Sequence, residues 1–182
     1  MLKIENGKIT INNHTILDNI NLEIYPELLT VIIGPNGAGK TTLINVLGNT
    51  KKLTKGNLVT SFKKSILIPQ RTYYPEGITL YEYVSSVFFQ TGWKWSLKTQ
   101  EKNMVCEILE KLNLISKKDL VLNTLSAGEL QLANVALCLV SEADFILLDE
   151  PSANLDLLNQ VIILDILKKL TKKKYDHCSN YA

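Results

Sequence analysis

The chain is predicted to fold as an α/β domain, and three features of its sequence predict it. Two short, continuous apolar runs, Leu28–Ile33 and Phe145–Leu148, read as strands buried on both faces, as in a parallel sheet. Segments with apolar residues at helical spacing follow them, and strands that alternate with helices imply an α/β architecture. Each run also ends in polar chemistry, the first in a glycine-rich turn and the second in two carboxylates. Open α/β sheets bind their ligands at such carboxyl ends of strands.

The elements follow in order. Residues 1–24 alternate weakly and read as strands joined by the polar turn Asn12-Asn13-His14. After the Leu28–Ile33 strand, a helix is predicted to start near Lys40, run through Leu43–Leu47 and stop at Gly48. Lys55–Val59 and Ser65–Ile68 are short strand candidates. From Arg71 to Asn123 the pattern turns helical. Thr79 and Glu82 have the spacing of a capping box, and Leu80, Tyr83, Val84, Val87 and Phe88 recur at helical intervals. A second helix fits Gln100–Leu112, with Met104, Val105, Ile108 and Leu112 on one face. A helix from Ala127 precedes the strand Phe145–Leu148, and an apolar helix runs from about Leu157 to about Leu170.

Bulk properties narrow the class. At 182 residues the length suits one domain with a real core. Apolar residues make up 46% and charged residues 21%, which is ordinary for a globular chain. A net charge of +2 gives no chain-wide pull toward nucleic acid or anionic lipid, so no nucleic-acid partner is expected. No apolar run approaches the ~18 residues that span a bilayer, and no signal peptide opens the chain. Direct membrane insertion is therefore not expected, and any work at a membrane goes through a partner. Cys106, Cys138 and Cys178 lack metal-type spacing and cannot all pair with one another, so reduced thiols in a cytoplasmic protein are expected.

Two motifs carry phosphate chemistry. Gly34-Pro35-Asn36-Gly37-Ala38-Gly39-Lys40-Thr41-Thr42 matches the P-loop (Walker A) pattern. Its glycines let the backbone wrap so that successive N–H groups point at phosphate oxygens, and the following helix adds its positive end. Lys40 is expected on the β- and γ-phosphates of ATP, and the Thr41 hydroxyl on Mg²⁺. Asp149 and Glu150 close the Phe145–Leu148 strand as a Walker B candidate. Asp149 is the expected Mg²⁺ residue, through water, and Glu150 is expected to orient or deprotonate the attacking water. An apolar strand ending in an acidic turn is common by itself; the P-loop upstream gives it meaning.

Leu125-Ser126-Ala127-Gly128-Glu129 lies between these motifs. Read locally it is an N-cap serine with a glutamate at N3, a capping box, and a capped helix end is also an anion site. In this order the three blocks resemble the ATP-binding subunit of ABC transporters, whose signature usually reads LSGGQ. Ala127 and Glu129 depart mildly from it. The resemblance covers about residue 2 to about residue 170. It implies a P-loop NTPase of the ABC type: a mostly parallel core sheet with flanking helices, N-terminal antiparallel strands and a helical insert at about residues 71–124, all in one domain. It also implies a head-to-tail homodimer or heterodimer in which Ser126 and Gly128 of one subunit grip the γ-phosphate held by the other. Gln70 matches the glutamine that contacts Mg²⁺ and the water and relays nucleotide state to a transmembrane subunit. Asp156, in Ser152-Ala153-Asn154-Leu155-Asp156, matches an interface aspartate. The implied location is cytoplasmic, peripheral at the inner face of the cell membrane. Pro69-Gln70-Arg71, Gly77–Leu80 and Trp93-Lys94-Trp95 loosely resemble the metal- and siderophore-uptake branch; Trp93 and Trp95 either line the groove for a transmembrane partner or pack inside the insert.

Two departures stand out. The family stacks adenine on an aromatic residue ahead of the P-loop, and here Ile11, Asn12 and Asn13 occupy that place. After about residue 171 the family continues with a β-branched strand and a histidine that touches the γ-phosphate. Here Lys172–Ala182 has no apolar run, and His177 reads as a surface residue rather than that histidine. By resemblance the lost strand belongs between the P-loop strand and the Asp149 strand. The function expected is an ATP-hydrolysing subunit that powers an ABC importer. The alternatives are a truncated, hydrolysis-deficient nucleotide-binding remnant and, more weakly, a soluble ABC protein of translation or DNA repair.

Overall fold

A computed structural model describes residues 1–26, 28–70, 72–89 and 96–150, together with 160, 161, 163, 165, 166 and 168. Asp156, Trp93, Trp95, Arg71 and the segment with His177 lie outside the described residues. The chain divides into two compact units, one holding Met1–Pro69 and Asp144–Asp149, the other holding Gln70–Ala143 and Glu150.

In the first unit, β1 (Leu2–Ile11) pairs antiparallel with β2 (His14–Ile24) and with β3 (Lys55–Thr60), giving the order β2-β1-β3. Asn12 and Asn13 both take positive φ, 48° and 63°, the backbone of a tight two-residue hairpin turn that asparagine tolerates. The apolar residues of β1 do not alternate strictly. Leu2 and Ile4 are buried, then Gly7 and Ile9. A register shift between Ile4 and Gly7, with Asn6 at φ 48°, inserts the extra residue that returns Ile9 to the core face.

Helix α1 (Lys40–Leu47) starts at Gly39 and ends at Gly48. Its inward residues Ile44, Val46 and Leu47 join Leu2, Ile4, Ile9, Ile24 and Leu147 in one core. β4 (Ser65–Ile68) and β5 (Phe145–Leu148) pair in parallel, Ser65 opposite Phe145 through Ile68 opposite Leu148. Phe62 stacks on Phe145 with centroids 4.7 Å apart, and the Asp144 carboxylate accepts the Lys63 and Lys64 amides at 3.1 and 3.3 Å. A tight start thus fixes β5 in register.

The Leu28–Ile33 segment departs from expectation. Among the described residues it forms no ladder, and Leu28, Leu29, Val31 and Ile33 are 60%, 47%, 64% and 90% exposed. Only Ile32 packs toward the core. A strand is defined by its neighbours, and among the described residues none offers this segment a backbone partner. The apolar run is therefore largely solvated instead of being buried on both faces.

The second unit is helical. α2 (Leu80–Ser85) carries the predicted capping box, with the Glu82 carboxylate accepting the Thr79 amide at 2.8 Å and Thr79 Oγ1 accepting the Glu82 amide at 3.2 Å. α3 (Thr99–Lys111) and α4 (Ala127–Ser141) follow, and the three helices pack together. The core of this unit includes Leu80, Val84, Val105, Leu109, Leu122, Ala133, Val135 and Ala136. Buried Asn134 of α4 accepts hydrogen bonds from Tyr83 at 2.6 Å and Tyr74 at 3.3 Å. Burial pushes the Tyr83 hydroxyl far above its usual range and the Cys138 thiol up to about 12, so both stay protonated. Cys106 and Cys138 are free thiols. Residues 160, 161 and 163 of this unit, and 165, 166 and 168 of the first, are helical, within the predicted 157–170 helix.

Candidate functional site

The loop Gly34–Gly39 is held by backbone geometry that only its glycines accept cheaply. Gly37 and Gly39 take φ of 81° and 89°. Gly39 caps α1 without a side-chain hydrogen bond, so the first amides of the helix are left to face outward. The turn closes through the Ala38 amide on the Pro35 carbonyl at 3.2 Å. Pro35, Asn36 and Ala38 are exposed along the loop, and Lys40 folds back over it, donating from Nζ to the Gly34 and Pro35 carbonyls at 2.9 Å each. A cation thus lies across a glycine turn at a helix N-terminus, an arrangement that suits polyphosphate. Thr41 is exposed and Thr42 half-buried in the first turn of α1. Asn45 donates to the Thr41 carbonyl at 2.8 Å and steadies that turn.

A further pair flanks the loop, and sequence reasoning missed it. A Cβ added at Gly39 would meet Leu17 Cδ2 at 2.8 Å and Ile16 Cγ2 at 3.2 Å. Register jumps from Ile9 opposite Leu17 to Thr10 opposite Thr15, so Ile16 is the extra residue of a bulge. Bulges re-aim side chains, and this one leaves Ile16 and Leu17 together beside Gly39. Strict alternation in the sequence carries no trace of it.

β5 delivers Asp149, which is 5% exposed and anchored by its amide on the Ile68 carbonyl at 3.0 Å. Glu150 then turns out of the strand with φ 50°, an uncommon backbone for a residue with a side chain. In the second unit Gln70 Nε2 donates to Glu150 Oε2. Two residues far apart in sequence are thereby joined, each nominated separately from its motif.

At α4, Ser126 is the N-cap. The Glu129 carboxylate accepts the Ser126 amide at 2.9 Å, and the Glu129 amide donates to Ser126 Oγ at 3.4 Å. Gly128 is buried in the first turn and Ser126 is exposed. Lys117, at the end of a 3-10 turn spanning Ile115–Lys117, donates to the other Glu129 carboxylate oxygen. Lys117 and the Ser126 amide hold the Glu129 carboxyl below the usual carboxylate range.

Among the described residues, no three His, Cys, Asp or Glu side chains cluster as a metal cage, and no helix is long and apolar enough to cross a membrane. The two residues expected to hold Mg²⁺, Thr41 and Asp149, both offer oxygens. That set suits Mg²⁺, which takes one or two protein ligands and shares the rest of its shell with phosphate and water.

A model of the ABC transporter family matches residues 17–153. The zinc import ATP-binding protein ZnuC of Wolbachia sp. subsp. Brugia malayi (strain TRS) is 32% identical over 178 residues, 96% of this chain and 70% of that protein. The probable siderophore transport system ATP-binding protein YusV of Bacillus subtilis (strain 168) is 33% identical over 87% of this chain. The chain spans only 62% of its length. A solved inward-facing metal-chelate type ABC transporter superposes with a TM-score of 0.86 at 26% identity, over 95% of this chain and 68% of that one.

Proposed function

The chain belongs to the ABC transporter family, and we propose on that premise that it binds MgATP at Gly34–Thr42 and hydrolyses it to drive an importer of metal ions or metal chelates. The observation that carries the reading is Lys40 lying across a glycine turn that opens into α1. In this reading Lys40 holds the β- and γ-phosphates and the amides of Gly37–Thr42 cradle them. Thr41 and Asp149 hold Mg²⁺, with Gln70 reaching the same ion; the metal supplies neutralising charge on the phosphate oxygens. Glu150 orients or deprotonates the water, and its hydrogen bond to Gln70 supports pairing these two residues in one task.

Ser126 and Gly128 grip the γ-phosphate of a second ATP-binding subunit, identical or not, and Asp156 sits at that interface. The helical part of the domain, about residues 71–124, receives a transmembrane subunit at the inner face of the cell membrane. The names of the zinc and siderophore relatives support the importer class. A second reading, a nucleotide-binding remnant that does not hydrolyse ATP, draws on the exposed Leu28–Ile33 run just ahead of the loop.

The test uses thermal stabilisation by MgATP and phosphate release. Lys40→Ala is expected to abolish stabilisation, and equal stabilisation of variant and parent refutes the site. Glu150→Gln is expected to keep ATP binding and lose turnover. A parent that binds ATP without releasing phosphate supports the remnant reading instead.

A further inference from the structure

The ion pair at the start of α4 points to a residue that no motif contains. α4 is capped by Ser126, and the proposed role of that helix end is to meet the γ-phosphate bound by a partner subunit. The inference rests on that reading. A phosphate is drawn there by unpaired amides and the positive end of the helix. Glu129, at the third helical position, works against it. Its carboxylate closes the capping box on the Ser126 amide and stays ionised at neutral pH. One negative charge therefore stands in the very turn that has to receive another.

Lys117 is the cation that answers it. It comes from the 3-10 turn Ile115–Lys117, separate from α4, and donates to the Glu129 oxygen that the capping box leaves free. The side chains remain 40% and 25% exposed. A pair this wet contributes only about 0.2–1 kcal/mol to stability, so holding the fold together is a poor account of it. Its electrostatic effect is local. It cancels the Glu129 charge at the helix end and leaves the dipole and the Ser126 hydroxyl to act on an anion. We propose that Lys117 is a positioning residue for phosphate engagement by the Ser126–Glu129 turn, acting by neutralising Glu129.

The full chain carrying Glu150→Gln, expected to lose turnover, serves as the parent, and ATP-driven dimerisation is measured by sedimentation. Lys117→Ala is expected to weaken dimerisation about tenfold at low salt, as an uncompensated charge within several ångströms of a phosphate does. Raising the salt should shrink the defect. Glu129→Gln keeps the capping geometry, because glutamine makes the same back-bond. The combined Lys117→Ala/Glu129→Gln change is therefore expected to restore dimerisation to within about twofold of the parent, since both charges are then gone. Melting temperatures of all four proteins should agree closely. The inference is overturned if Lys117→Ala dimerises like the parent, or if the combined variant is as weak as Lys117→Ala. A parent that binds ATP but never dimerises overturns the reading of Ser126 and Gly128, and this inference with it.

Discussion

Ile33→Lys separates two states of the segment ahead of the phosphate loop. Ile33 is 90% exposed, so about a tenth of its burial free energy is at stake. Full burial of such a side chain contributes about 1.5–3 kcal/mol, so the loss on substitution is about 0.2–0.3 kcal/mol. Ile4, 1% exposed in the core of the same unit, gives the scale of a buried isoleucine. Ile4→Ala is expected to cost about 2–5 kcal/mol, a large share of a total stability of about 5–15 kcal/mol. The assay is urea denaturation followed by far-UV circular dichroism on both variants and the parent. Ile33→Lys should leave the midpoint nearly unmoved and raise solubility, because it breaks an exposed apolar run that otherwise invites edge-to-edge association. A loss of about 2 kcal/mol or more at Ile33 would refute the reasoning. It would mean that a strand covers the segment and that the phosphate loop is supported by a completed sheet.

A further expectation concerns the same unit. Gly37 and Gly39 both hold positive φ, but only Gly39 has neighbours within reach, Leu17 at 2.8 Å and Ile16 at 3.2 Å. Gly37→Ala should cost about 1–2 kcal/mol from the backbone alone, and Gly39→Ala about 1–3 kcal/mol more from crowding; MgATP affinity measured by calorimetry should fall further for Gly39→Ala, and equal losses would mean that Leu17 yields freely.

What the sequence determined by itself was everything that depends on neighbours along the chain. The capping boxes at Thr79 and Ser126 form because the partner residue is three positions away. The Asn12-Asn13 turn and the glycine stops around α1 follow from which residues accept positive φ. The phosphate loop is legible for the same reason: its amides, its lysine and its helix are contiguous. The tertiary structure decided what depends on distant chain. Leu28–Ile33 has a strand's composition and, among the described residues, no strand's ladder, because pairing is supplied by another segment and not by propensity. Gln70 meets Glu150 across 80 positions, and Lys117 meets Glu129 from a turn outside the signature. The bulge that sets Ile16 and Leu17 beside Gly39 arises from register between β1 and β2, which no local pattern records. Hydrogen-bond ladders and charge pairs of this kind are settled only when the chain closes on itself, and that is where the sequence stops and the fold begins to decide.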